Sequence, residues 1–435
     1  MKNIHIPGFV RLLVGAMVIL MLGGLVGWYF YLQAQKNTIT TTDTARGTGT
    51  IAPSFEGTTG STQANQAIAT QAISTDIYHP TSTSTSVLWQ VDGAPVAGMG
   101  FVHTAAGENL NYVERGNGYV FSADPRIESA VRVTGTLLPQ VYEALIAEDG
   151  SVIERSIGAS GAITTLLGTV SSSTPQSAST TVTNVSRIST NQQGVDTQLP
   201  ALSGVYLSPG IQSIVMNHTT RSLFYLTANA QGGVDGITQD WAGKKRSTIF
   251  SSTIRSWRPM MLDDGSIILT ESPTSMFPGY SYRMDSKGNL TTLVRNIQGL
   301  TVLPKIGSPI LLYGATSENG LALFARSTTT AQALGLATTA EKCVWLPGKS
   351  EVAYCAVPSG TTPINYLDSW YQGSVHTSDD WWKVDVFAGT AVRIYSPSSN
   401  NTSLDVRDPV IDSSGNYIAF INATNESLWV LRVAQ

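Results

Sequence analysis

The sequence is poor in charge. Of its 435 residues only 13% are Asp, Glu, Lys or Arg, about half the usual share, and the formal net charge is -4. That composition argues against long, salt-bridged helices and leaves no basic field to draw a phosphate backbone, so nucleic acid is not an expected partner. Familiar catalytic signatures are missing as well. The five histidines, His5, His79, His103, His218 and His376, are scattered, with no HExxH and no close pair of the kind that holds zinc. No G-x-S-x-G elbow offers a serine nucleophile, since "GASGA" at 158–162 misses it. "PGKS" at 347–350 ends like a phosphate-binding loop but lacks the earlier glycine. No cofactor and no metal site is expected. Cysteine is scarcest of all: Cys343 and Cys355 are the two in the chain, too few for a disulfide framework or a four-cysteine zinc site.

What the chain does have begins at its N-terminus. After Lys2 and Arg11, Leu12 to Leu32 run 21 residues without a charge, long enough to cross a bilayer. Trp28, Tyr29 and Tyr31 lie where an interfacial aromatic belt would sit, and the basic residues precede the span. The expected topology is a cytoplasmic segment 1–11, a transmembrane helix 12–32 and an extracytoplasmic remainder at the cell surface or in the periplasm. A cleaved signal peptide is the competing reading, but the apolar core is long for one and "LQAQ" is a poor cleavage site. Pro7, Gly8 and Phe9 also look like a prepilin cleavage point, although Leu13 stands where such pilins carry glutamate. Residues 33–83 are rich in Thr, Ser, Gly and Ala without a sustained apolar period, which reads as a flexible tether. A second Ser/Thr run, Ser171 to Thr181, reads as a long loop.

Beyond residue 84 a repeat emerges: an apolar or aromatic residue, a turn with Gly, then an apolar triplet. "WLPGKSEVAY" at 345–354 and "IDSSGNYIAF" at 411–420 keep it well, and five looser copies bring the turn glycines to 107, 150, 210, 265, 307, 348 and 415. Their spacing of about 40 to 70 residues suits one four-stranded blade each. Alternating segments such as "SYRMDSKGNLTTLVRN" and "WWKVDVFAGTAVRIY" supply third and fourth strands. The expected fold is all-β: a propeller domain over 84–435 with seven four-stranded antiparallel blades, six to eight being compatible with the spacing.

The better copies resemble the TolB-type, WD-like propeller repeat. After "SLWVLRVAQ" the last blade lacks a strand, and "STSVLWQV" at 84–91 can supply it, closing the ring between the two ends of the domain. In that frame Cys343 and Cys355 fall opposite each other on the two innermost strands of blade six. They can pair as a disulfide in an oxidising compartment or fill core holes as free thiols. The resemblance extends to propellers attached to prolyl-type peptidases, but this chain has neither room nor motif for a hydrolase domain.

The candidate binding surface lies in one insertion, from Ser359 to about Asp380 between the second and third strands of blade six. It carries Tyr366, Trp370, Tyr371, Asp379 and Asp380 and runs into Trp381. Blade four has a shorter counterpart with Phe277 and Tyr280, and a neighbouring connection brings Trp257 and Arg258. Aromatic rings with polar neighbours on a rigid platform suit recognition. The alternative is that the rings fold back and cap their own blades. The resulting expectation is a membrane-anchored, non-enzymatic binding or scaffold module for a protein, peptide or glycan at the cell envelope. The competing expectation is a propeller hydrolase or lyase whose acids come from several blades and leave no linear motif.

Overall fold

A computed structural model describes residues 86–433 apart from 171–198, 319, 329 and 401. The expected span 12–32, the tether 33–83 and the Ser/Thr run 171–181 lie outside the described residues. No helix among the described residues is long and apolar enough to cross a membrane. The described chain forms seven four-stranded antiparallel sheets. Blades one to six are contiguous in sequence, at 96–132, 141–206, 211–252, 257–298, 301–333 and 343–395. Blade seven is composite. Its three inner strands are Val406–Ile411, Tyr417–Asn422 and Leu428–Arg432, and its outermost strand is Leu88–Asp92 from the start of the domain. Leu88 faces Leu431 and Trp89 faces Val430, so the ring closes by hydrogen bonds between its two ends.

Six of the seven turn glycines close the hairpin between the first two strands of a blade. Gly150, Gly265 and Gly415 each take positive φ and donate their N–H to a carbonyl three residues back, a turn conformation that a side chain would strain. Gly210 is the exception and corrects the repeat. "LSPG" at 207–210 is the connection between blades, and the apolar residues after it, Ile211–Met216, are the innermost strand of blade three. The hairpin there turns at 217–222, where the Asn217 side chain accepts from the Thr220 N–H and Arg221 takes the positive φ.

Each sheet is covered on both faces by its neighbours. In blade six, Trp381 packs towards blade seven against Phe420, with ring centroids 5.4 Å apart, while Trp382 packs on the cluster shared with blade five. Trp345 is buried in that second cluster and its indole N–H donates to the Leu303 carbonyl at 3.1 Å. Cys343 and Cys355 are directly opposed on Cys343–Trp345 and Val352–Pro358, with Cα atoms 4.1 Å apart, and are disulfide-bonded. Where inner strands of adjacent blades meet most closely there is no room for a side chain. A Cβ on Gly98 would stand 1.9 Å from the Ala144 carbonyl oxygen.

One buried acid stands out for having no partner. Glu154, on the second strand of blade two, is fully buried, and neither carboxyl oxygen finds a hydrogen-bond partner. Burial raises its pKa from 4.5 to about 8. The folded protein thus keeps a proton that the unfolded chain releases.

Two outcomes follow. Removing residues 84–91 should expose the edge of Leu428–Arg432 and lower the melting temperature with aggregation, read by calorimetry and light scattering; a truncated chain that melts like the parent would refute closure as a source of stability. For Glu154, the raised folded pKa means that stability is greatest below about 4.5 and declines as the pH climbs to about 8. The slope is about 1.4 kcal/mol per pH unit. Glu154→Gln should abolish that slope, leaving denaturant midpoints similar at low pH and higher than the parent's at pH 8.

Candidate functional site

The insertion of blade six contains one short helix, α1 (Tyr366–Tyr371). A helix of this length has no stability of its own in water, and Asn365 at its start makes no side-chain cap bond. Tertiary contacts hold it. Tyr366 and Trp370 turn inward beside Leu321 of blade five. Asp368 accepts the Ser275 N–H at 2.8 Å, tying α1 to the shorter insertion of blade four. Partial burial works against its ionisation, but hydrogen bonds from Thr274 and Ser275 prevail and hold its carboxyl below the usual range. The helix therefore bridges from blade six across blade five to blade four.

Beneath α1 lies a polar nest in which Lys342 is wholly buried. Its ammonium donates to Asp379 Oδ2 and Asp405 Oδ1, both at 2.6 Å, and to Thr377 Oγ1 at 3.0 Å. Asp379 also accepts from the Thr377 hydroxyl at 2.7 Å and the Val406 N–H at 2.8 Å. Asp405 accepts the Trp370 indole N–H at 2.9 and 3.0 Å, and His376 Nδ1 lies 3.0 Å from it on the solvent side. Burial alone would lower the Lys342 pKa, but the two carboxylates outweigh it and hold the amine protonated. Burial also pushes Asp379 upward despite the lysine. The Lys342 nitrogen stands 5.0 Å from the centroid of Trp370 and 5.9 Å from that of Tyr366, so aromatic faces close the remaining sides.

A second polar group surrounds Tyr371. Its hydroxyl donates to Glu341 Oε2 at 2.6 Å, Arg258 donates to the other oxygen of Glu341 at 2.6 Å, and the guanidinium lies 3.9 Å from the Tyr371 ring centroid. Burial and the Glu341 charge push the Tyr371 hydroxyl well above its ordinary value. Further along the rim Arg407 pairs with Asp408 at 3.3 Å and approaches Glu426, which Arg115 also engages. Three cations and three anions thus balance.

The burial of these residues corrects the expected binding surface. Trp257, Tyr366, Trp370, Asp379, Asp380 and Trp381 are all buried. Trp257 packs edge-on to Phe250 and Tyr282, and Asp380 is engaged by Ser396 at 2.6 Å and Arg393 at 3.1 Å. Arg258, Tyr280 and Tyr371 are half-buried. Phe277 alone of the ten stands in solvent, 70% exposed. The insertion caps its own blades with its large rings, because a helix this short is held by burying them. On the same two joined loops Met276 is 67% and Ile364 is 56% exposed, and neither is marked out by any sequence pattern. Lys342, Asp405 and Glu341 escape sequence reasoning too. The one signal was a lysine set directly against the apolar run at Cys343 in a chain so short of charge.

No known protein family matches this sequence, and no curated protein does. Among solved structures the fold is similar to a virginiamycin B lyase from Staphylococcus aureus, with a TM-score of 0.47, 10% identity, and 80% of this chain and 99% of that one covered. It is similar to the WD40 repeats of RRP9 at a TM-score of 0.47 and 7% identity, over 81% and 99% of the two chains. An oligogalacturonate lyase in complex with manganese gives 0.46 and 10%, over 78% and 97%. These likenesses concern the propeller architecture.

If the rings of α1 are a cap, replacing both Trp370 and Tyr371 by alanine should cost about 3 kcal/mol or more in denaturant unfolding, because buried ring area and the hydrogen bonds to Asp405 and Glu341 go together. A loss below about 0.5 kcal/mol, the size usual for surface positions, would show the rings to be dispensable to the fold.

Proposed function

We propose that this protein is a non-enzymatic binding module whose loop-bearing face, at blades four and six, takes an apolar segment of a protein or peptide. The observation that carries this reading is the bond between the Ser275 N–H and the Asp368 carboxylate. It joins loops of two different blades, and those loops keep Met276, Phe277 and Ile364 in water. Exposed apolar side chains on a pre-ordered platform lose little conformational entropy when a partner covers them. Phe277 is the aromatic anchor of the set. The uncharged run Leu12 to Leu32 supports the further reading that the propeller is held at a membrane, on its extracytoplasmic side, and that the partner belongs to the envelope. A hydrolase or lyase would draw its acids from the rim. There Arg258, Glu341, Arg407, Asp408 and Glu426 are engaged with one another, which favours the binding reading.

Position-specific photocrosslinking tests this in the full chain. A photoreactive phenylalanine analogue at position 277 should capture a discrete partner, whereas the same group at Phe387 should not; Phe387 is 89% exposed, but it sits in the turn between third and fourth strands, on the opposite face. Phe277→Ala should then weaken the captured complex by about 2 kcal/mol or more while leaving the melting temperature unmoved. Equal capture from both positions would sink the assignment of this face.

A further inference from the structure

The nest beneath α1 is built like a reaction site closed to substrate. Its amine and its carboxyl belong to the same chain and are already in contact: Lys342 Nζ lies 2.6 Å from Asp379 Oδ2, and neither side chain is exposed. A third group, the carboxylate of Asp405, touches the same nitrogen at 2.6 Å from another direction. Two donors, the Val406 N–H and the Thr377 hydroxyl, point at the two oxygens of Asp379. Trp370 and Tyr366 exclude solvent.

We propose that Lys342 and Asp379 condense to an intramolecular amide, with Asp405 as the proton-transfer group. Burial works against a full set of charges here, and the nest can relieve it by holding one proton on Asp379. From that state Asp405 takes a proton from the Lys342 ammonium across the 2.6 Å contact, and the freed amine attacks Cγ of the protonated Asp379 carboxyl. The oxygen that gains charge in the tetrahedral intermediate is met by the Val406 N–H or the Thr377 hydroxyl. A new N–C bond forms as the old C–OH bond breaks. The amine gives up its second proton and the departing hydroxyl receives one, both through Asp405, so that one water leaves and Asp405 ends protonated. No oxidant, reductant or activating co-reactant is required. Effective concentration supplies what a bimolecular condensation in water lacks, since both partners are held in contact by the fold.

The product is as well satisfied as the reactants. The amide N–H keeps Asp405 as its acceptor, and the amide carbonyl keeps a donor in Val406 or Thr377. His376, on the solvent side of Asp405, gives the proton a route to bulk water. The bond would tie the residue before the innermost strand of blade six to the first residue of its third strand, spanning the second strand that the disulfide already links to the first.

The test is mass spectrometry of the full chain, purified folded, then unfolded and reduced. The expected protein is lighter than its sequence by one water, resists trypsin at Lys342, and yields the segment 327–349 joined to 350–383. Lys342→Arg and Asp379→Ala should each restore the full mass, and Asp405→Asn should leave the joined species absent although Lys342 and Asp379 are both present. Recovery of the free peptide 327–342 from the wild-type chain at full mass would overturn the proposal, and this result does not depend on whether any variant folds. Cross-linking at the wild-type level in Asp405→Asn would overturn the role given to Asp405.

Discussion

A sheet with no solvent face constrains everything else in this molecule. In a ring of seven blades, alternate residues on a strand point to the two neighbouring blades rather than to core and water, so the usual one-sided alternation gives way to burial on both sides. The run Val352–Pro358, buried at nearly every position, is the plainest case. It is why Trp381 and Trp382 both pack against other blades, and why polar groups caught between blades must be paired. Lys342 meets that demand with three hydrogen-bonding partners, whereas Glu154, which has none, avoids a buried charge by remaining protonated.

The same constraint sends variable chemistry to the loops. Blade six inserts twenty residues between its second and third strands, and their large rings pay for the excursion by burial over blade five. What is left outside is small and defined, with Phe277, Met276 and Ile364 on loops that a single carboxylate joins. A cap and a contact surface are thus made from one insertion, its inner side aromatic and its outer side a few apolar tips.

How much of this could be read beforehand depends on whether a feature is local. Turn glycines followed by an apolar triplet announce themselves, and so does the strand missing from the last blade. The Cys343 and Cys355 positions follow from hairpin register alone. The copy at Gly210 misled because Ser-Pro-Gly serves a connection between blades as well as a hairpin, and an apolar run after it looks the same in either place. The nest could not be seen, because Lys342, Asp379 and Asp405 lie far apart in sequence and meet where three stretches of chain converge. The aromatic insertion was visible, but its sidedness was not: composition gives the rings, and only tertiary contact decides which way they turn.

Closure of the ring also has a temporal side. Leu88–Asp92 is made early if the chain folds from its N-terminus, yet its only sheet partner in the ring is Leu428–Arg432, almost the whole length of the domain later. Pairing of such distant segments is slow, because the intervening chain must be ordered first. Throughout that interval the first strand is a free edge, and in a second copy of the molecule the matching acceptor is equally free. Two chains maturing side by side could therefore exchange first strands, each completing the other's seventh blade.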